Sequence, residues 1–284
     1  MITNKLGKFI AIEIKDLDVR EVISKETINK ISDILTEYSV VVIRNQNITN
    51  DEHIKFSENF GNLELTKVGT DGSGSKLIIL RNFDESGNIL PPTDRQRLNN
   101  LANQEWHSDS SFKQIPSKLS ILSAKIIPSN GGNTEFLSMR ASYNALPQDL
   151  KIKIDDKVCW HDYSYGRSKI DPNLVTPEEK QALPPVKQKL VLCENKHGKS
   201  LYLGAHCRNV DGMSENDSNA LLAEINSYID TEKFSYSHVW EPFDLIMWDN
   251  RAVLHRATPI KGKIEKRLMV RTTVAGQTPT INEN

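Results

Sequence analysis

The feature that most restricts how this chain can fold is the recurrence, from one end to the other, of short β-branched and apolar runs. They fall at residues 9–14, 39–43, 76–80, 119–126, 188–192, 234–240, 245–248 and 268–274. Each is about the length of one strand, and runs spaced in this way build a β sandwich or barrel. Helical periodicity is clearest early, over 25–38 and 50–59, and two further helices are expected over 140–153 and 214–228. Thr49 and Asn50 are capping residues followed by Asp51 and Glu52, which suit a positive helix end, and Ser214 precedes a second acidic turn. The expected class is mainly β with flanking helices. No linker divides the 284 residues, so one domain over 1–284 is expected.

Charge and cysteine content narrow the function. Lysine and arginine number 36 against 37 aspartates and glutamates, a formal net charge of −1. There is no diffuse basic field to bind nucleic acid or an anionic membrane, so any positive charge that matters must be local. The N-terminal stretch alternates apolar and charged residues, unlike a secretory signal, and no apolar run is long enough to span a bilayer. A cytoplasmic protein is expected. Cys159, Cys193 and Cys207 are odd in number and lack a CxxC spacing, which argues against a disulfide framework or a thiolate zinc site. All three read as buried thiols. Two stretches, 66–103 and 163–185, resist regular assignment over most of their length, and such segments in a compact domain serve as lids or walls of a binding site.

The densest chemical signal is Trp106-His107-Ser108-Asp109-Ser110-Ser111-Phe112. On a strand, residues two apart share a face, so His107 and Asp109 can offer an imidazole nitrogen and a carboxylate oxygen to one ion. Alone, the pair is weak. Downstream, the apolar run of Leu245 to Trp248, Asp249-Asn250 and a second apolar run reaching His255 read as a hairpin that returns a histidine to the middle of a sheet. Two histidines and one carboxylate form a facial triad, which leaves room for a co-substrate and dioxygen on non-haem Fe(II). His53, His197 and His238 read as structural or solvated, while His161 and His206 are candidates for the pocket and not for the metal.

Beyond a turn through Thr258 to Lys263, Arg267 and Arg271 lie four apart on an expected strand, hence on one face and roughly 13 Å apart. A guanidinium fork matches a carboxylate, so one of them can face the metal and grip the far end of a dicarboxylate. Thr134, after Gly131-Gly132-Asn133, can share that work. A zinc-dependent hydrolase has no use for this arginine and threonine; it and a catalytically silent jelly-roll binding protein are the alternative readings.

Taken in order, VVVIRNQ, FSENFGNLE, WHSDSSF, GGNTEF, IMWDNRAVLHRAT and KRLMVRTTVAG resemble the taurine dioxygenase and 2,4-dichlorophenoxyacetate dioxygenase family of Fe(II)/2-oxoglutarate enzymes, across almost the whole chain. The resemblance implies a double-stranded β-helix, or jelly roll, with metal on His107, Asp109 and His255 and 2-oxoglutarate on Thr134 and Arg267. It implies use of Fe(II), 2-oxoglutarate and O2, release of succinate and CO2, and assembly as a dimer or tetramer. It points to Arg271 for the anionic end of the primary substrate, with Asn103 and Tyr163 as pocket positions. SDSSF, MRASYNALP and SLYLGAH are closer to the phenoxyacetate branch, which brings His206 into the substrate pocket. The implied reaction is hydroxylation of a small organic anion beside a heteroatom. Aryloxy or alkyl carboxylates, sulfonates and sulfate esters all fit, because the loops that select among them differ from that branch.

Overall fold

The computed structural model describes residues 1–66, 72–194, 197–261 and 265–283. Parts of the 66–103 wall and of the 258–263 turn therefore lie outside the described residues. The large sheet has seven strands in the order Ile2–Lys5, Ile12–Lys15, Val40–Ile43, Leu245–Asp249, Ser117–Ile126, Leu268–Ala275 and Ile78–Arg81. Neighbours are antiparallel except for Ile12–Lys15 and Val40–Ile43. A second sheet, in the order Ser235–His238, Thr134–Ser138 and Val253–Ala257, faces the first to make the double-stranded β-helix.

Side-chain alternation divides the large sheet into two apolar faces, as period-2 geometry demands. Val41, Ile43, Ile121, Leu245, Met247 and Val274 point outward onto Ile28, Ile31, Leu35 and Phe56 of the helices Lys25–Tyr38 and Asn50–Glu58. Val40, Val42, Leu122, Ile246, Trp248 and Met269 point inward and meet Phe136 and Val253 of the small sheet. Ser120 and Arg271 share this inward phase, in register with Thr273 and Leu122 respectively. The expected helix starts hold: Ser24 and Ser214 cap their helices, and Thr49 and Glu52 form a capping box.

Four local expectations are corrected. The helix read over 140–153 is two, Met139–Ala145 and Gln148–Ile154. Pro147 disfavours helical backbone at the preceding residue, and Leu146 is extended with ψ 145°. The run 188–192 is split between Val186–Lys189, paired with Val158–His161, and Val191–Glu194, paired with Gly198–Leu201. Leu245–Asp249 and Val253–Ala257 are not a hairpin in one sheet but belong to the two opposed sheets, with His255 on an edge strand rather than in the middle. Each flank of that turn buries its side chains, Trp248 and Val253 meeting in the same inter-sheet core. Cys159 and Cys207 are buried, but Cys193 is exposed.

Helix Arg95–Ala102 and strand Ile78–Arg81 lie in the first supposedly irregular stretch, and helices Tyr163–Ser168 and Pro177–Ala182 lie in the second. A second core, containing Leu150, Ile154, Leu190, Leu201, Leu221 and Ile225, fixes the helices outside the small sheet. Among the described residues no helix is long and apolar enough to cross a membrane.

Candidate active site

The first two candidate ligands meet through main-chain pairing. His107 N–H donates to His255 O at 3.1 Å and His255 N–H donates to His107 O at 2.9 Å, while Ala257 N–H donates to Asn103 O at 2.9 Å. The 103–107 segment is thereby laid along the edge strand Val253–Ala257, and directly opposed residues project to the same side. The two imidazole centroids are 4.2 Å apart. Asp109 is not on a strand with His107, as its spacing suggested. It lies in a turn followed by Ser110 in the left-handed region at φ 54°.

Asn250 holds that turn. Its carbonyl accepts from Ser108 Oγ at 2.6 Å, and its Oδ1 accepts from Trp248 Nε1 at 2.8 Å. Its Nδ2 donates to Ser117 Oγ at 3.0 Å and Ser120 Oγ at 2.9 Å. Ser117 Oγ donates in turn to Asp109 O, and Ser120 Oγ to Asp109 Oδ2, both at 2.7 Å. The DNR turn thus positions the carboxylate as well as the chain leading to His255, a role that the sequence reading missed.

The result is a triad in which one ligand atom from each of His107, Asp109 and His255 lies within 4.8 Å of the others. His107 Nδ1 is 2.7 Å from Glu105 O. A carbonyl only accepts, so Nδ1 carries the proton and Nε2 presents its lone pair. Burial, above all, lowers the proton affinity of both imidazoles, with Arg271 adding to it, so they stand neutral as metal ligands must. Burial pushes the Asp109 carboxyl upward, but the Arg271 guanidinium, helped by the hydrogen bond from Ser120, outweighs it and holds the group well below the usual carboxylate range. Arg271 Nη1 is 2.5 Å from Asp109 Oδ1. Arg271, expected at the anionic end of the primary substrate, is thus already ion-paired with Asp109.

The other arginine is different. Arg267 precedes its strand, its main-chain N–H donating to Asn82 Oδ1 at 2.8 Å and its Nε to Gly132 O at 3.3 Å. Gly132 is at φ 67°, and a Cβ there would meet Pro128 at 2.9 Å and the Arg267 side chain at 3.4 Å. Glycine therefore lets the guanidinium stem lie against the turn. Burial lowers the Arg267 pKa to about 10, which leaves it charged at neutral pH, and it has no acidic partner among the described residues. Nearby, Thr134 Oγ1 accepts from Trp240 Nε1 at 3.1 Å. An indole only donates, so the threonine's own proton is left for another acceptor.

These groups line a cavity of about 820 Å³ that takes in His107, His255, Thr134, Arg267 and Arg271. A second cavity, of about 130 Å³, borders Asp109, Phe112, Tyr163, Arg167 and His206. His107, Asn103 and Arg271 border both. His206 is buried rather than an exposed strand end, with its ring 6.4 Å from that of His107 and 4.9 Å from Phe112. Tyr163 is buried and packs 4.7 Å from Phe112. His161 borders neither cavity. His53 and His238 are buried structural groups, the latter held at 2.8 Å by Asp244.

A jelly roll carrying two histidines on the wall of a cavity, a carboxylate converging with them and an unmatched arginine in the same cavity defines a 2-oxoglutarate-dependent oxygenase that uses Fe(II) and O2. A family model described as "Taurine catabolism dioxygenase TauD, TfdA family" matches residues 3–273. The chain belongs to this family and is a 2-oxoglutarate-dependent dioxygenase. It is 35% identical over 280 residues to the α-ketoglutarate-dependent 2,4-dichlorophenoxyacetate dioxygenase of Cupriavidus pinatubonensis, covering 96% of this chain and 98% of that one. It is 29% identical to the (S)-phenoxypropionate/α-ketoglutarate dioxygenase of Sphingobium herbicidovorans, over 84% of this chain and 83% of the other. The crystal structure of AAD-2 in complex with Mn(II) and N-oxalylglycine superposes with a TM-score of 0.89 at 37% identity, covering 98% and 100% of the two chains.

Proposed function

We propose that His107, Asp109 and His255 hold the Fe(II), that Thr134 and Arg267 hold the distal carboxylate of 2-oxoglutarate, and that the primary substrate is a small organic anion. An aryloxy carboxylate is the best-supported substrate class. The observation that carries this reading is an unmatched guanidinium, Arg267, in the same cavity as His107 and His255, two of three side chains whose ligand atoms converge with that of Asp109. When bound, the iron and keto acid supply the oxidising power, with succinate and CO2 as by-products and hydroxylation beside the substrate heteroatom. The protein's part is positional. His107 and His255 offer neutral Nε2 atoms, Ser120 fixes Asp109, and Trp240 leaves the Thr134 hydroxyl free to donate to a carboxylate.

For the primary substrate, Arg271, His206, Asn103 and Tyr163 are the chamber residues. Phe112, Tyr163 and His206 supply flat ring surfaces, and the similarity to two aryloxy-acid dioxygenases points the same way. The segments 66–103 and 163–185 act as lids. An ion pair between Arg95 and Glu179, and a bond from Arg167 to Asn99, tie the two together. Near-neutral charge supports the absence of nucleic-acid and membrane partners, and the family resemblance supports a cytoplasmic homo-oligomer, dimer or tetramer; light scattering at working concentration tests the assembly.

The test of the core reading is substrate-dependent succinate release. His107→Ala and Asp109→Ala should each abolish it, and full activity in either variant would remove the ligand assignment. Anaerobic addition of Fe(II) and 2-oxoglutarate should give a weak visible charge-transfer band that neither a zinc hydrolase nor a silent binding protein would produce.

A further inference from the structure

Most arginines that reach the interior of this protein have a carboxylate to account for them. Arg95 has Glu179, Arg251 has Glu283, Arg256 has Glu135 and Arg271 has Asp109. Arg167 has none among the described residues. It projects from the short helix Tyr163–Ser168 into the wall of the smaller cavity, which it borders together with Arg271 and His206. Its guanidinium lies 4.7 Å over the Tyr163 ring, Nη1 donates to Asn99 Oδ1 at 2.5 Å, and the buried Nε has no hydrogen-bond partner. Burial lowers its proton affinity most; Tyr163 and Glu179 oppose this, the latter from beyond ion-pair distance and already bonded to Arg95, and Arg271 and Arg95 add to it. An amide partner and a ring face do not offset the desolvation of a full charge.

The charges of the loaded site sharpen the point. Asp109 then serves both the metal and Arg271, so the charge of Arg271 is only partly matched, and Arg167, which borders the same cavity, has no ion-paired carboxylate among the described residues.

We infer that Arg167 is a second anion-binding residue of the substrate chamber, so that the charged group of the primary substrate is received by Arg271 and Arg167 while Phe112 and Tyr163 flank its body. A planar fork already stacked on an aromatic ring is pre-organised for a carboxylate. The competing role is a purely structural latch through Asn99. The inference rests on the anionic-substrate reading above, and one experiment separates the two.

Phenoxyacetate and its uncharged counterpart phenoxyethanol are titrated anaerobically into enzyme loaded with Fe(II) and 2-oxoglutarate, following the visible band, in wild type, Arg167→Gln and Arg167→Lys. Arg167→Gln should weaken phenoxyacetate by roughly tenfold or more, while leaving phenoxyethanol and 2-oxoglutarate within about twofold of wild type. Arg167→Lys, which keeps the charge and loses the fork, should fall between. An unchanged phenoxyacetate Kd in Arg167→Gln, or equal weakening of both probes, would overturn the role of Arg167 in favour of the latch. Should Arg167→Gln fail to form the band, Arg167→Lys decides by the same selectivity between probes. Wild-type enzyme that binds phenoxyacetate no better than phenoxyethanol would instead defeat the anionic-substrate reading itself.

Discussion

Two side chains next to the proposed ligands control geometry without touching the metal. Trp240 Nε1 occupies one lone pair of Thr134 Oγ1, so removing the indole N–H frees the hydroxyl to rotate. Trp240→Phe is expected to raise the KM for 2-oxoglutarate about three- to tenfold with little change in kcat, the cost of one hydrogen bond. In a Thr134→Val background the same change should have no further effect, and an undiminished effect there would show that Trp240 acts through packing alone. Asn250 has a larger task, since its side chain joins Trp248, Ser117 and Ser120 in full burial. Asn250→Ala strands those donors and acceptors, at about 1–3 kcal/mol for a buried polar group left unpaired. Urea unfolding should report that loss, and Fe(II) affinity should fall with it because Asp109 is no longer held.

The elements explain what could be read in advance. The helix Asn50–Glu58 was legible because its caps are local: Thr49 and Glu52 bond each other's main chain at 3.2 Å and 2.7 Å. That helix backs the strand bearing Arg271, through Ser57 Oγ and Thr272 Oγ1 at 2.6 Å. Thr49→Ala should cost about 1 kcal/mol in urea titrations and leave both 2-oxoglutarate and substrate KM unchanged, since the strand is held by two neighbours in its sheet. The same-face reading of Arg267 and Arg271 assumed one regular strand, whereas Arg267 precedes the strand and the register shifts between Leu268 and Met269, so the two-residue period does not relate them. The convergence of His107 with Asp109 was expected for the wrong local reason: a turn with Ser110 at positive φ, not a strand, brings them together. Whether the segments either side of Asp249-Asn250 close a hairpin or cross between sheets depends on what each face packs against, which no local pattern encodes. Arg167 was invisible because an arginine in a Pro- and Gly-bearing stretch looks like solvated surface until the cavity behind it is seen.

For the whole molecule, buried neutral histidines couple stability to pH. His53 is pushed down to about 3, first by burial and then by Lys125, and His161 to about 4 by burial. In the unfolded chain each returns to an ordinary value near 6.5. Below that pH the unfolded state takes up protons that the native state refuses, so this stability is complete above about pH 6.5 and is lost as pH falls toward 4. His161 isolates the effect, because it is buried, stacked 5.4 Å from Tyr202, and neither ring nitrogen makes a hydrogen bond of normal geometry. An apolar ring of similar shape forfeits little there. His161→Phe should therefore match or exceed wild-type stability at pH 7.5 and gain roughly 2.5 kcal/mol on it at pH 4.5, a relative Tm shift on the order of 5 °C. Comparing the two proteins at identical metal loading cancels the titration of the triad. Parallel Tm curves for the pair between pH 7.5 and 4.5 would show that His161 keeps an ordinary proton affinity in the folded protein.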